Sequence, residues 1–161
     1  TATTEIYTLS LHDALPIWLS RRYVAKKNKA AWYRTIDKLT PGLLDRDLLL
    51  IPDMAAQPDP ILSHGKYPHH NCYWITSDEW DLEVLGGLLM ADTTRRFVDA
   101  LGVKMRGGTL RFQAQYLRLV HIPEYSQISD TNKLGLSRAF NEKDRALATK
   151  FAEAAYKEAM E

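Results

Sequence analysis

A single cysteine, Cys72, among 161 residues rules out an internal disulfide framework and suits a reducing compartment. Long hydrophobic runs are also missing: no uninterrupted apolar stretch approaches the roughly 20 residues that span a bilayer. The first residues lack the basic start and clean apolar stretch of a secretory signal, because Glu5, His12 and Asp13 interrupt them. The expected location is therefore cytoplasmic, away from any membrane. Several site signatures are absent as well. No Gly-rich dinucleotide fingerprint follows a strand, and no phosphate-binding loop ends in Lys-Ser/Thr. Zinc would need Cys and His at ligand spacing in two clusters, and His69, His70 and Cys72 have no second one, so no metal ligand is expected. A Mg²⁺-dependent nuclease would need an acid, one residue and a lysine downstream of a first acid. Pro52-Asp53 could open such a motif, but no Asp-x-Lys or Glu-x-Lys occurs in the chain. Nucleophilic catalysis by Cys72 or a serine stays open, with no base or orienting partner identifiable.

What is present fits one globular domain, with 45% hydrophobic and 25% charged residues and length enough to bury a core. The net charge of +1 conceals segregation along the chain. Residues 21–38 carry seven basic residues (Arg21, Arg22, Lys26, Lys27, Lys29, Arg34 and Lys38) against Asp37. Residues 95–121 carry six (Arg95, Arg96, Lys104, Arg106, Arg111 and Arg118) against Asp99, and the stretch between the blocks is acidic. Two basic blocks brought together by the fold would form a positive surface for a polyanion; left apart, each is a solvated face.

The element pattern is mixed. Tyr23 to Lys29 reads as a strand end or exposed loop, and AWYRTIDKL after it is anchored by Trp32, Ile36 and Leu39 and ended by Pro41-Gly42. LLLIP at 48–52 and CYWIT at 72–76 read as strands, with a Pro-rich exposed loop between them. Thr76 and Glu79 stand at capping-box spacing before a helix with Leu82, Leu85, Leu88 and Leu89 on one apolar face. Gly86 and Gly87 each cost roughly 1 kcal/mol inside that helix, which close approach of a neighbouring backbone would offset. TTRRFVDAL is helical, with Gly102 as its C-cap. A last helix is expected from Glu142 to Met160, with Asn141 as N-cap and Leu147, Phe151 and Ala154 as its apolar stripe. A boundary is expected in the polar, turn-prone stretch 123–132. The class is α+β: a mixed sheet with packed helices, closed by a C-terminal helical segment.

Four segments in order, SRRYVAKKN, WYRTIDKLTPGLLDRDLLLIPD, YPHHNCYWITSDEWDLEVLGGLLM and MRGGTLRFQAQYL, resemble the C-terminal target-recognition region of adenine-specific DNA methyltransferases from type II bacterial restriction-modification systems. The resemblance covers most of residues 18–123. Residues 1–17, above all TEIYTLSLHDALPI, resemble translated sequencing-library adapter and are set aside. The expected organisation is thus a non-native segment 1–17, a recognition domain 18–123 and a helical extension 124–161.

In that family the N-terminal half binds S-adenosylmethionine and carries an Asn-Pro-Pro-Tyr/Phe motif that grips a flipped adenine. This chain has neither that motif nor a Gly-rich cofactor loop. The resemblance therefore implies a fragment that binds double-stranded DNA, holds no cofactor of its own and is inactive without its catalytic domain. Its implied DNA contacts are Arg34, Lys38, His69, His70, Lys104, Arg106, Arg111, Gln113 and Gln115. Arginine and lysine neutralise phosphates or bond guanine edges, and glutamine can pair with adenine. On a strand Gln113 and Gln115 would share a side; on a helix they would diverge. Arg106 and Arg111 around Gly107-Gly108 form a DNA-facing turn or brace the loop. His69-His70-Asn71 either touches the duplex or bonds within the fold. Trp32, Tyr33, Trp74 and Trp80 read as core, as do Tyr116 and Leu117. The rival readings are a free-standing specificity module serving a separate catalytic subunit, a recognition half of a fused restriction-methylation enzyme, and a protein-interaction domain whose basic blocks confer solubility.

Overall fold

The computed structural model describes residues 21–27, 40–69, 71–101, 105 and 107–160. The expectations for residues 1–17, Trp32, Tyr33, Arg34, Lys38, His70, Gly102, Lys104 and Arg106 lie outside these. The chain forms two compact units, residues 1–40 and 41–161. In the first, the described part is the short helix α1 (Tyr23–Lys27), where a strand end or loop was expected. Arg22 carbonyl accepts from the Lys26 N–H at 3.0 Å, closing its turn.

The second unit is built on a strand that changes sheets. β1 (Asp47–Pro52) runs between β3 (Ile61–His64) and β4 (Cys72–Ile75), antiparallel to both. Past Pro52 the chain bends at Asp53 and enters β2 (Met54–Ala55), which pairs antiparallel with β5 (Leu110–Arg111). The α+β class holds, and every described strand pairing is antiparallel rather than mixed. β3 lies in the stretch expected to be loop. Its prolines fall before and after Ile61–His64, so the ladder loses no N–H to them.

Alternation along β1 sends Leu49 and Ile51 into the core, and Leu48, on the opposite face, is fully buried as well. Leu50, on the same face as Leu48, forms a row with Ile61 and Trp74 across the three strands. Trp74 is therefore 43% exposed and not a core residue. Trp80, Tyr116 and Leu117, also expected in the core, are each half-buried, and the Trp80 ring stands edge-on to Tyr125 at 5.1 Å.

Helix α2 (Leu82–Met90) begins later than the expected capping box. Ser77 Oγ takes the Glu79 and Trp80 N–H groups in a turn, and Asp81 is the true N-cap, its Oδ1 accepting from Glu83 N–H at 2.8 Å. Nor is α2 apolar on one face only: all its residues except Glu83 are buried. Leu82, Leu85 and Leu89 pack with Leu49, Ile51, Val98, Phe112 and Phe140, whereas Val84 and Leu88 pack with Ile128, Leu136 and Ala148. A helix covered on both sides must be apolar all round. The expected close approach at its glycines is present: a side chain on Gly87 would run into the Leu136 carbonyl, and one on Gly86 into the Phe140 ring.

The remaining helices are α3 (Asp92–Leu101), α4 (Ala114–Leu117), α5 (Asp130–Glu142) and α6 (Arg145–Glu158). The single terminal helix expected from Glu142 is two helices. Lys143 takes the left-handed conformation (φ 55°), and Asp144 restarts the chain by capping Leu147 N–H at 2.9 Å. Asn141, expected as N-cap, instead donates to Glu83 Oε2. The buried seam of α6 is Ala148, Ala152 and Ala155, one position off the expected stripe, because small residues let the helix lie close to its neighbours. Both α5 and α6 pack on α2 within the second unit. Among the described residues no helix is long and apolar enough to cross a membrane.

Candidate functional site

The site is built where the two small sheets meet. Asp53 is the junction residue: its N–H donates to the Asn71 carbonyl at 2.8 Å, and its carbonyl accepts from Phe112 N–H at 2.7 Å. One residue thus ties the loop before β4 to the segment leaving β5. Its carboxylate, only 15% exposed, accepts from Arg111 Nη2 at 2.6 Å. That hydrogen bond raises the Arg111 pKa further above its ordinary value; burial pulls against it, and the charge of Asp53, with Tyr73 and Tyr116, adds to the rise. The guanidinium stays fully ionised at any working pH.

Residues 110–113 alternate in burial. Leu110 and Phe112 are inside, whereas Arg111 and Gln113 are partly exposed on the outward side. Gln113 is extended (φ −67°, ψ 145°) and serves as the N-cap position of α4, so the strand direction persists to it before the helix begins. Gln115 Nε2 donates to Gln113 Oε1 at 3.2 Å. The two glutamines therefore meet, though neither along one strand nor along one helix. The strand-to-helix corner brings them together. Upstream, Gly107 and Gly108 both have positive φ (85° and 76°), a conformation that suits glycine. Met105 N–H donates to the Thr109 carbonyl at 3.0 Å and closes this exposed turn.

Of the nine residues expected at the site, four are described, and Arg111, Gln113 and Gln115 stand together. His69 Nδ1 accepts from Asn71 N–H at 3.3 Å, and the His69 carbonyl accepts from Cys72 N–H. His69 thus shapes the loop that Asp53 holds. Helix α3 packs beside β5 and α4, with Thr94 and Val98 as its buried residues and Arg95 exposed. Sequence reasoning missed Asp53 as part of this arrangement. Its only signal, an acid after Pro52, reads as a metal ligand, whereas its carboxylate is taken up by Arg111 58 residues later. Asn71, read from the sequence together with His69, is exposed on the same loop, and its carbonyl accepts from Asp53 N–H.

No family model matches the chain. It is 44% identical over 127 residues to the type II methyltransferase M.PaeR7I of Pseudomonas aeruginosa, covering 78% of this chain and 22% of that protein. It is 42% identical over 135 residues to the type II methyltransferase M.XhoI of Xanthomonas vasicola, covering 83% and 25%. For M.BstVI of Geobacillus stearothermophilus the identity is 39% over 116 residues, covering 71% and 21%. Its homologues are type II methyltransferases. The chain spans a quarter or less of their length. A match over 135 residues is longer than residues 1–123, so the methyltransferase similarity passes residue 123 and reaches α5.

Proposed function

We propose that this chain is the DNA-reading part of an adenine-specific DNA methyltransferase of a restriction-modification system, working in the cytoplasm. Similarity to three type II methyltransferases over most of the chain carries the reading. The outward group of Arg111, Gln113 and Gln115 supports it by placing a fixed cation and two amides side by side, the donor and acceptor chemistry that base edges present in a major groove. Lys104 and Arg106 adjoin this group in sequence, and Arg34 and Lys38 belong to the other basic block; their role in the proposal is to neutralise phosphates.

Methyl transfer belongs to the larger protein. The chain has no Asn-Pro-Pro motif and no Gly-rich loop, so none of its residues is assigned to S-adenosylmethionine or to the flipped base. Its share of the work is to fix the register of the duplex so that the target adenine arrives at a catalytic domain.

The test is binding of the 161-residue chain to double-stranded DNA followed by fluorescence anisotropy, with potassium chloride as the variable. Binding should fall linearly on a log–log plot, with a slope that reports the phosphates neutralised. A folded chain that leaves duplexes free at low salt would refute the reading and favour a protein-interaction domain.

A further inference from the structure

We propose that Arg111 reads a base edge rather than a phosphate, and that Asp53 is the positioning residue that makes it do so. The inference rests on the DNA-reading role and names the division of labour within it.

The argument begins with charge. A phosphate clamp acts through its net positive field, but Arg111 shares a 2.6 Å hydrogen bond with a carboxylate that is largely shielded from water. The pair is neutral as a unit, and its long-range pull on a polyanion is weak. What the pairing leaves intact is direction. Among the described residues the guanidinium makes this one hydrogen bond, through Nη2, while its side chain is 36% exposed. Its other donors are not spent on the carboxylate. A planar fork with donors to spare, held by one end, matches the two acceptors that guanine presents in the major groove, O6 and N7.

Position supports the same assignment. Asp53 is pinned through its backbone on both sides, to Asn71 and to Phe112. Both Phe112 and Leu110 are fully in the core, so the backbone on either side of Arg111 is fixed. An unrestrained arginine gives up much side-chain freedom on being immobilised, and a carboxylate that holds it beforehand removes part of that cost from the binding step. Asp53 Oδ1 and Arg111 Nε are both buried without a partner. The buried Nε edge is thus turned away from any ligand, and the Nη end of the guanidinium is what remains to meet a base.

The experiment uses the full 161-residue chain and a pool of duplexes with a randomised centre. Wild-type protein selects a preferred duplex from the pool; affinity for that duplex and for a scrambled one is then measured across a salt series for wild type, Asp53→Asn, Asp53→Glu and Arg111→Lys. The expected result for Asp53→Asn is a preferred-to-scrambled ratio lower by about tenfold or more, with affinity for the scrambled duplex no weaker than wild type's, because the substitution also unmasks the Arg111 charge. Asp53→Glu should recover part of the ratio. If circular dichroism shows Asp53→Asn to be unfolded, Arg111→Lys decides the matter: it keeps the charge and loses the fork, so the ratio should fall while the slope stays. Wild-type preference retained in Arg111→Lys, or equal losses on both duplexes, would overturn the proposal and leave Arg111 a brace or a phosphate contact. Wild-type binding without any preference also overturns it while DNA binding stands. No binding at all overturns the DNA-reading role itself.

Discussion

Gly87 lies against the Leu136 carbonyl so closely that even a methyl group on its Cα would collide with backbone. The contact fixes how near α5 can come to α2, and both sides of α2 depend on that spacing, because its two apolar faces serve two clusters. Gly87→Ala should therefore destabilise the protein by about 2 kcal/mol, overpacking outweighing the gain in helix propensity. Gly86→Ala should cost less, since the opposing group is the Phe140 ring rather than backbone. Urea unfolding followed by circular dichroism separates the two. Equal midpoints for both variants would show that the backbone contact is not limiting.

Arg145 opens α6, where the helix dipole disfavours a cation, yet it is held there by two carbonyls: Nη1 donates to Met90 at 2.8 Å and Nη2 to Pro58 at 3.0 Å. It joins the end of α2 to the loop between β2 and β3. Lys143 reinforces the same loop through the Pro60 carbonyl at 3.0 Å. Arg145→Ala should cost about 2–3 kcal/mol, because charge-assisted bonds are lost and the Met90 carbonyl is left without them. Arg145→Lys should recover only part of this, as an ammonium cannot span both acceptors in one plane. Chemical denaturation of the three proteins at neutral pH gives the comparison.

Acid should loosen the last helix. Hydrogen bonds from the Ser129 backbone, then from the Asn132 and Ser129 side chains, hold the Glu158 carboxyl below its ordinary value of 4.5. A depressed carboxylate contributes stability above its unfolded value and loses it as pH falls through the folded one. Glu158→Gln should thus melt below wild type at neutral pH, and the gap should close as pH drops beneath 4.5. A gap that persisted in acid would assign the effect to packing rather than to charge.

At the alkaline end the relevant group is Tyr156, whose hydroxyl donates to the His121 carbonyl at 2.8 Å. Burial pushes its pKa from 10.0 up to about 12. The unfolded chain then gives up this proton first, so stability is intact below pH 10.0 and drains away as pH rises toward about 12. Absorbance of tyrosinate in a pH titration should show Tyr156 ionising late, at about pH 12. In Tyr156→Phe that late step should vanish.

How much of this was legible in the sequence depends on the range of the forces involved. β1 and β4 were readable because LLLIP and CYWIT carry their own signal in apolar and β-branched residues. The glycine pair in α2 was readable for a similar reason: two helix-weakening residues in a leucine-rich run need a compensating contact. The helix starts were not. Several acids and hydroxyls stood in a row between Thr76 and Asp81, and which of them caps depends on where the turn at Ser77 places the chain. The break at Lys143 escaped for want of a glycine, since the left-handed residue there is a lysine whose Nζ lies over the Phe140 ring at 4.3 Å. At the candidate site the residue types were legible but their partners were not. Arg111, Gln113 and Gln115 stand out in the sequence as residue types able to pair with bases, whereas Asp53 gains its partner only when β2 pairs with β5.

The bond between Gln115 and Gln113 carries the last prediction. With Gln113 Oε1 occupied by Gln115 Nε2, Gln113 retains its amide donors and Gln115 its carbonyl acceptor. Side by side, these match the N7 acceptor and N6 donor that adenine shows in the major groove. If the two amides act as one reading unit, removing either should forfeit most of what removing both does. Gln113→Ala and Gln115→Ala should each weaken binding to the preferred duplex by about 1–2 kcal/mol, and the double variant should fall short of their sum by at least about 0.5 kcal/mol. Titration of the four proteins against one duplex at one salt concentration closes the cycle. Strictly additive losses would mean that the amides act on separate bases, and that their mutual hydrogen bond merely trims the corner between β5 and α4.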